Sequence, residues 1–373
     1  MKNNLQIKFN GSPNPTLGVE LELFTLDKES LALTNGAPKV LEHFKDNFFF
    51  KQELLQCIVE ITTDVCNTVD DIYNDLRPKL DMAINYANNN GLELLSMPIH
   101  PFSKVADQKV SNNRRYTEFL DRMQWPLRRL LITGIHVHVG VESGEKAIAI
   151  INGMKRYIPY LISLSANSPY FEGEKTGLAS TRTKIFEGLP NTGIPENLRN
   201  YSEFQKFMRT LIGANSIESI REIWWDIRPH PGYGTVEIRI CDSIPNLSDI
   251  KDLAALCQAL VVGMSNHYDN GTHLPYLDNW ILYENKWRAT RYGIDADLII
   301  DEDGNQVPIK DEIITTINNL SPEIEKLNLS SNMDRILDRV KNGHGYYKDQ
   351  MKIYSKNKDI KDVLLSDIEK LKN

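Results

Sequence analysis

Three separate segments of this chain alternate, residue by residue, between an aliphatic side chain and one that carries charge or an imidazole. In Val19-Glu20-Leu21-Glu22-Leu23 the carboxylates take one parity and the aliphatic residues the other. Ile135-His136-Val137-His138-Val139 repeats the device with histidines, and Thr235-Val236-Glu237-Ile238-Arg239-Ile240 with a glutamate and an arginine. Period-two alternation marks a β-strand, in which residues i and i+2 share a face. Each segment therefore has one apolar and one polar face, which calls for a sheet with a hydrophobic core on one side only.

The polar faces admit a plain reading and a chemical one. Two carboxylates about 7 Å apart repel by about 2 kcal/mol at an effective dielectric near 20, so Glu20 and Glu22 want water or a cation beside them. Taken singly, each face is explained as well by solvent. One-sided sheets are common, His136 and His138 can form a hydrogen-bonded polar face, and a surface pair such as Glu237–Arg239 contributes only about 0–1 kcal/mol. Solvation rarely produces three such strands together, and the joint pattern points to a site for divalent cations. Oxygen-rich ligation with a single imidazole suits Mg²⁺ or Mn²⁺ better than Zn²⁺. A nucleoside triphosphate is the expected partner of such ions.

Further acids stand in Glu53-Leu54-Leu55-Gln56-Cys57-Ile58-Val59-Glu60. A separation of seven puts Glu53 and Glu60 on opposite faces of a regular strand, so either a β-bulge shifts the register or Glu53 precedes the strand. Glu60 is the safer ligand. Neither GxxxxGK[ST] nor GxGxxG occurs, so phosphate would be held by metals and arginines rather than by a helix N-terminus. Arg182, Arg228 and Arg239 are candidates for that work or for ordinary ion pairs.

Between these motifs, residues 51–63 read as a second strand segment. From Thr68 onward, Val69, Ile72, Leu76, Leu80, Ala83 and Ala87 recur at helical spacing, ended by Asn89-Asn90-Gly91. Residues 111–129 give no clear pattern. A helix over 144–166 carries Pro159 as a kink, and the long connection 167–195 suggests a functional loop. Residues 203–212 suit a helix. Two strands then flank Pro231-Gly232, and Ser248-Asp249 suits the cap of an apolar helix running to about His267. After Trp280 the pattern is helical: 311–320, a helix opened by Ser321-Pro322, and 333–340. One compact unit with appendages is expected, with the C-terminal third as covering structure.

With 43 basic against 50 acidic residues and a formal net charge of −7, the chain lacks the basic face of a nucleic-acid binder. Its opening residues lack the apolar region of a secretory signal, and no apolar stretch is long enough to span a bilayer. Cys57, Cys66, Cys241 and Cys257 show no CxxC spacing and read as reduced thiols. A cytoplasmic protein is expected, with neither membrane nor nucleic-acid partner and a homodimer as the default assembly.

In order, the blocks PTLGVELEL, ELLQCIVEITT, RRY, HVHVG, NSPYFEGEKTGLASTR, WWDIRPHPGYGTVEIRICDS and NKWRATRYG resemble the carboxylate-amine ligase family, also called glutamate-cysteine ligase type 2, from about Pro15 to Gly293. That family is similar to glutamine synthetase in carrying acid pairs, HxH and ExR on the concave face of an antiparallel sheet. The resemblance implies an α+β fold, a curved antiparallel sheet with helices on its outer face, with residues 1–373 as a single catalytic domain and about 301–373 as a helical extension packed on it. It also implies that Glu20, Glu22, Glu60 and Glu237 bind metal, with Glu53 a further ligand and His136 the ligand among the histidines. It places His138 beside the phosphates and Arg239 at the transferred phosphoryl group. Arg182 and Arg228 would sit near phosphate or a substrate carboxylate, and Arg114 and Tyr116 near the amino-acid pocket.

The implied activity is ATP-dependent amide formation between a carboxylate and an amine, with Mg²⁺ or Mn²⁺ and an acyl-phosphate; glutamate and cysteine are the family's eponymous pair. Two other readings fit the same face: a guanidine-kinase-like phosphoryl transferase, and a regulator that binds nucleotide or metal without turnover.

Overall fold

The structure is a computed structural model describing residues 6–373. Seven strands build one open, antiparallel sheet: β1 (Leu17–Asp27), β2 (Phe50–Gln52), β3 (Ile58–Thr62), β4 (Leu92–Leu95), β5 (Ile135–Gly140), β6 (Ile227–His230) and β7 (Thr235–Ile238). The order is β6-β7-β5-β1-β3-β2. Phe24 pairs with both Ile58 and Leu95, and Glu20 with both Thr62 and His136. Strands β4 and β5 therefore follow one another along the same edge of β1, opposite β3.

Alternation fixes what each face meets. Val19, Leu21, Leu23, Val59, Ile61, Ile135, Val137, Val139, Ile227, Val236 and Ile238 all join one buried cluster. Onto it pack α1 (Val69–Asn89), α2 (Gly144–Met154) and α3 (Leu247–Asp269) through Ile72, Leu76, Leu80, Ile150, Ile151, Leu256 and Leu260. Each of these side chains contributes about 1.5–3 kcal/mol by leaving water. The other face changes character along β1. Phe24 and Leu26 share the parity of Glu20 and Glu22, yet enter a second cluster with Ile58, Leu95, Met97, Leu131 and, from the C-terminal helix Ile360–Lys372, Val363 and Leu364. A wall of core thus closes one end of the polar face.

Several expected elements differ in detail. Residues 51–63 form two strands, with Lys51 paired to Glu60 across β2 and β3, so the chain turns back on itself between them. Glu53 sits in that connection rather than on a bulged strand, which explains its parity. The helix expected over 144–166 is broken at a 3₁₀ turn, Lys155–Tyr157, before Ile158–Ser165, with Pro159 in the first turn of the second part. Asn246, not Ser248 or Asp249, caps α3: its side chain accepts from both of their N–H groups. Ser321 and Pro322 open their helix from inside its first turn, with Leu320 at the cap. The unassigned region contains a helix, Arg114–Met123, with no buried residue.

The C-terminal helices are tied to the rest by buried polar contacts. Asn332 donates to Asp252 on α3 at 2.7 Å, and Gln350 donates to the backbone and side-chain oxygens of Asn167 at 2.7 and 2.6 Å. All four cysteines are free and buried, and among the described residues no helix is long and apolar enough to cross a membrane.

Candidate active site

Strand register assembles the polar face. Glu22 lies opposite Glu60, and Glu60 opposite Lys51. Glu20 lies opposite His136, while His138 lies opposite Glu237, which itself faces Arg228. All of these except His138 line a cleft of about 540 Å³, with Glu53, Tyr116, Arg182 and Arg239 also in its wall. Three overlapping donor sets bring their ligand atoms within 4.8 Å of one another: Glu20–Glu60–His136, Glu20–His138–Glu237 and Glu22–Glu53–Glu60.

Electrostatics divide this face in two. Burial opposes ionisation of Glu20, but its contacts with His136 and His138 outweigh burial and hold its carboxyl well below the usual range. His136 Nδ1 lies 2.8 Å from Glu20 Oε2, and burial followed by the charge of Arg239 pushes its pKa down, which favours a neutral imidazole. Toward β2 the acids crowd. Burial, then the charges of Glu22 and Glu20, push Glu53 up to about 8. Burial, then Glu20 and Glu53, push Glu60 well above the usual range, although Lys51 Nζ stands 3.2 Å from its Oε1. With four carboxylates around one ammonium, Glu53 and Glu60 favour their protonated forms unless a cation joins the cluster. An all-oxygen cluster beside a neutral imidazole fits Mg²⁺ or Mn²⁺.

The other half is cationic. Arg228 grips Glu237 with two parallel hydrogen bonds, Nε to Oε2 at 2.7 Å and Nη2 to Oε1 at 3.0 Å, and donates Nη1 to Ile223 O at 2.6 Å. Arg239 also pairs with Glu237. Burial disfavours the Glu237 carboxylate, but the charges of Arg228 and Arg239 overcome this and hold its pKa well below the ordinary value. Arg182 is 2 % exposed and donates to the backbone oxygens of Ile240 and Arg239, each at 3.1 Å, so it holds the segment that carries Arg239. Gly134, whose N–H goes to Glu22 Oε2 at 2.6 Å, runs directly beneath Arg182, where a Cβ would collide with the guanidinium. Among the described residues the Nε groups of Arg182 and Arg239 are buried without a hydrogen-bond partner, while His138 Nε2 lies 3.3 Å from Glu20 Oε1. Unsatisfied donors of this kind suit an anionic ligand.

Two expected residues fall outside the lining: His138, buried with its Nδ1 2.9 Å from Thr235 Oγ1, and Arg114. Arg114 projects into solvent and pairs with Glu118 at 2.6 Å; its neighbour Arg115 lines the cleft instead, because the helix turns successive side chains by about 100°. Tyr116 does reach the cleft, donating its hydroxyl to Gln52 O at 2.9 Å. The sequence reading missed Lys51, Arg115, His230 and Tyr233, all in the lining. His230 shares the parity of Arg228 on β6, so the i, i+2 rule contains it. Its ring stacks on Tyr233 with centroids 4.1 Å apart, and burial pushes its pKa down to about 4. Nothing in the local sequence marks Tyr233.

Residues 16–365 match the model of Glutamate-cysteine ligase family 2 (GCS2). A protein of Thermobifida fusca (strain YX) named "Putative glutamate--cysteine ligase 2" is 40 % identical over 366 residues, 96 % of this chain and 92 % of its own length. A protein of the same name in Mycobacterium tuberculosis (strain ATCC 25177 / H37Ra) is 38 % identical over 343 residues, 92 % of this chain and 91 % of its own. Among solved structures, a glutamate–cysteine ligase of Francisella tularensis in complex with AMP superposes with a TM-score of 0.71 at 13 % identity, covering 98 % of this chain and 90 % of that one. A bifunctional glutathione synthetase of Pasteurella multocida gives 0.69 at 11 % identity, covering 96 % of this chain and 52 % of that one. At such identities these two show a shared fold, whereas the family match and its relatives span nearly the whole sequence: the chain belongs to glutamate-cysteine ligase family 2.

Proposed function

We propose that this chain is an ATP-dependent carboxylate-amine ligase that forms an amide through an acyl-phosphate, with glutamate and cysteine the first pair to test. The observation that carries the reading is the division of one sheet face into a carboxylate cluster with His136 and a guanidinium cluster around Glu237. The family name and the AMP bound to the Francisella ligase support it. Nothing in the family or the fold neighbours favours the phosphoryl-transferase reading.

Glu20, Glu22, Glu53, Glu60 and His136 would hold Mg²⁺ or Mn²⁺, with His136 giving its Nδ1–H to Glu20 and keeping Nε2 for the ion. When bound, the ions supply positive charge beside the phosphate oxygens of ATP. Glu237 has a different part. Two guanidinium groups already occupy its oxygens, so it aims Arg228 and Arg239 and ligates metal only if Arg239 turns away to phosphate. Arg239, set in place through Arg182, meets negative charge as it grows on the transferred phosphoryl group. The substrate carboxylate attacks the γ-phosphorus, ADP leaves, and the amine then displaces phosphate, so no protein nucleophile is needed. We place residues 1–373 in one catalytic unit with about 301–373 as its packed helical extension.

A screen of phosphate release over pairs of acids and amines, with Mg²⁺ and ATP, tests the reading. A pair that yields ADP, phosphate and amide in equal amounts supports it. ADP with a stable phosphorylated acid or guanidine and no amide, or tight ATP binding with no turnover of any pair, would sink it.

A further inference from the structure

On the far side of the sheet a second cavity, of about 300 Å³, opens between the turn that follows α2, residues 197–199 and residues 274–282; it shares no lining residue with the carboxylate cleft. Its wall contains Lys155, Arg156 and Arg199 and neither aspartate nor glutamate. Two of these cations are already neutralised. Arg156 pairs with Glu312 at 3.1 Å, and Arg199 Nε donates to Glu203 Oε1 at 2.6 Å.

Lys155 is different. It is 2 % exposed, and its ammonium has one hydrogen-bond partner, the side-chain oxygen of Asn197 at 2.6 Å. Among the described residues no carboxylate stands within 4.0 Å of it. Asn197 is oriented to present that oxygen by donating its own amide to Asn279 at 3.3 Å. An ammonium has three donors, and a buried one is normally paired with an anion. Burial pushes the Lys155 pKa down to about 8 against the opposing charge of Glu196, which makes no ion pair with it, and this still leaves Lys155 mostly charged at neutral pH. The rest of the wall is Asn152, whose amide is spent on Leu198 O at 2.7 Å, Gly153, and an apolar part formed by Leu198, Leu274, Pro275, Leu277 and Leu282 with the ring of Tyr276.

We propose that this cavity binds a small organic carboxylate with a short apolar tail, the carboxylate on Lys155 Nζ and the tail against Leu274, Leu277 and Leu282. Its volume lies at the lower end of ligand pockets, ~300–1,000 Å³, so the acid is compact. No acidic side chain in the wall can receive an α-ammonium, so a simple acid binds ahead of the amino acid with the same tail. Inorganic phosphate shares the charge but gains nothing from the leucines. The site is independent of the ligase reading, because it uses none of the cleft's residues.

Calorimetric titration of the full chain with isovalerate, leucine and inorganic phosphate near pH 7 tests this. Isovalerate is expected to bind one per chain and more tightly than the other two. It should bind equally well to Arg239→Met, which removes an anion-binding group from the cleft. Lys155→Met is expected to weaken binding about tenfold or more, the loss of a charge-assisted hydrogen bond. Leu274→Trp fills the cavity while leaving Lys155 in place and should abolish binding even if Lys155→Met fails to fold. Absence of isovalerate binding, binding that survives Leu274→Trp, or leucine or phosphate binding as tightly as isovalerate would each overturn the proposal.

Discussion

Arg228 and Glu237 face each other across β6 and β7, both less than a tenth exposed, joined by paired hydrogen bonds of 2.7 and 3.0 Å. Arg239 pairs with the same carboxylate, so removing Glu237 strands two guanidinium charges in the interior, whereas removing Arg228 leaves Glu237 with Arg239. Glu237→Leu should therefore lower the unfolding free energy by about 3–5 kcal/mol, and Arg228→Leu by less. Urea denaturation of the two variants and the parent measures this. A loss under about 1 kcal/mol for Glu237→Leu would mean that these charges are held by solvent rather than buried.

The acid cluster makes a pH prediction. The folded pKa of Glu53, about 8, stands above its ordinary 4.5, and Glu60 is raised as well. Between those values the unfolded chain releases protons that the folded chain keeps. Metal-free protein should therefore be most stable near the bottom of this window and lose up to about 1.4 kcal/mol per pH unit for each raised carboxyl as pH rises toward 8. Saturating Mn²⁺ should flatten the decline by favouring the ionised carboxylates, and Glu53→Gln should reduce it without metal. Melting temperature against pH, in chelator and in Mn²⁺, would show the two curves diverging; parallel curves would contradict a cation among these acids.

His136 is expected to enter metal binding as a neutral ligand oriented by Glu20. Replacing it with alanine should weaken Mn²⁺ binding about 10–100-fold and leave the thermal midpoint of the metal-free protein within a few degrees. Electron paramagnetic resonance titration of free Mn²⁺ reads the affinity directly. An unchanged affinity would reduce His136 to a structural partner of Glu20.

Arg182 is a positioning residue, since its guanidinium donates to the backbone of Arg239 and Ile240. Arg239→Met should lower kcat about 100–1,000-fold, the usual cost of losing a group aimed at developing charge. Arg182→Met should lower kcat by a smaller factor and leave Mn²⁺ affinity unchanged. A loss confined to KM in both variants would assign these arginines to ground-state binding instead.

Much of the site was legible because a strand converts sequence parity into side-chain direction. Glu20, Glu22, His136, His138 and Glu237 needed only the i, i+2 rule, and Glu60 needed one further strand. Register, which sets Glu20 against His136 and Glu22 against Glu60, is a tertiary property that no single segment contains. Glu53 defeats parity because it lies in a turn, and a short helix with no buried face gives no phase that would choose Arg115 over Arg114. The ion pairing of Glu237 was hidden for another reason: Arg239 is local to it, whereas Arg228 arrives from the neighbouring strand. Lys51 and Tyr233 reach the cleft from a three-residue strand and a turn, where periodicity has nothing to repeat.

Transfer of the γ-phosphoryl group to the substrate carboxylate is tested most directly by isotope. Glutamate carrying ¹⁸O in its carboxylates, incubated with ATP, Mg²⁺ and cysteine, should deliver one ¹⁸O to each phosphate released with the amide, and Glu22→Gln should release neither. Amide accompanied by unlabelled phosphate would contradict the acyl-phosphate.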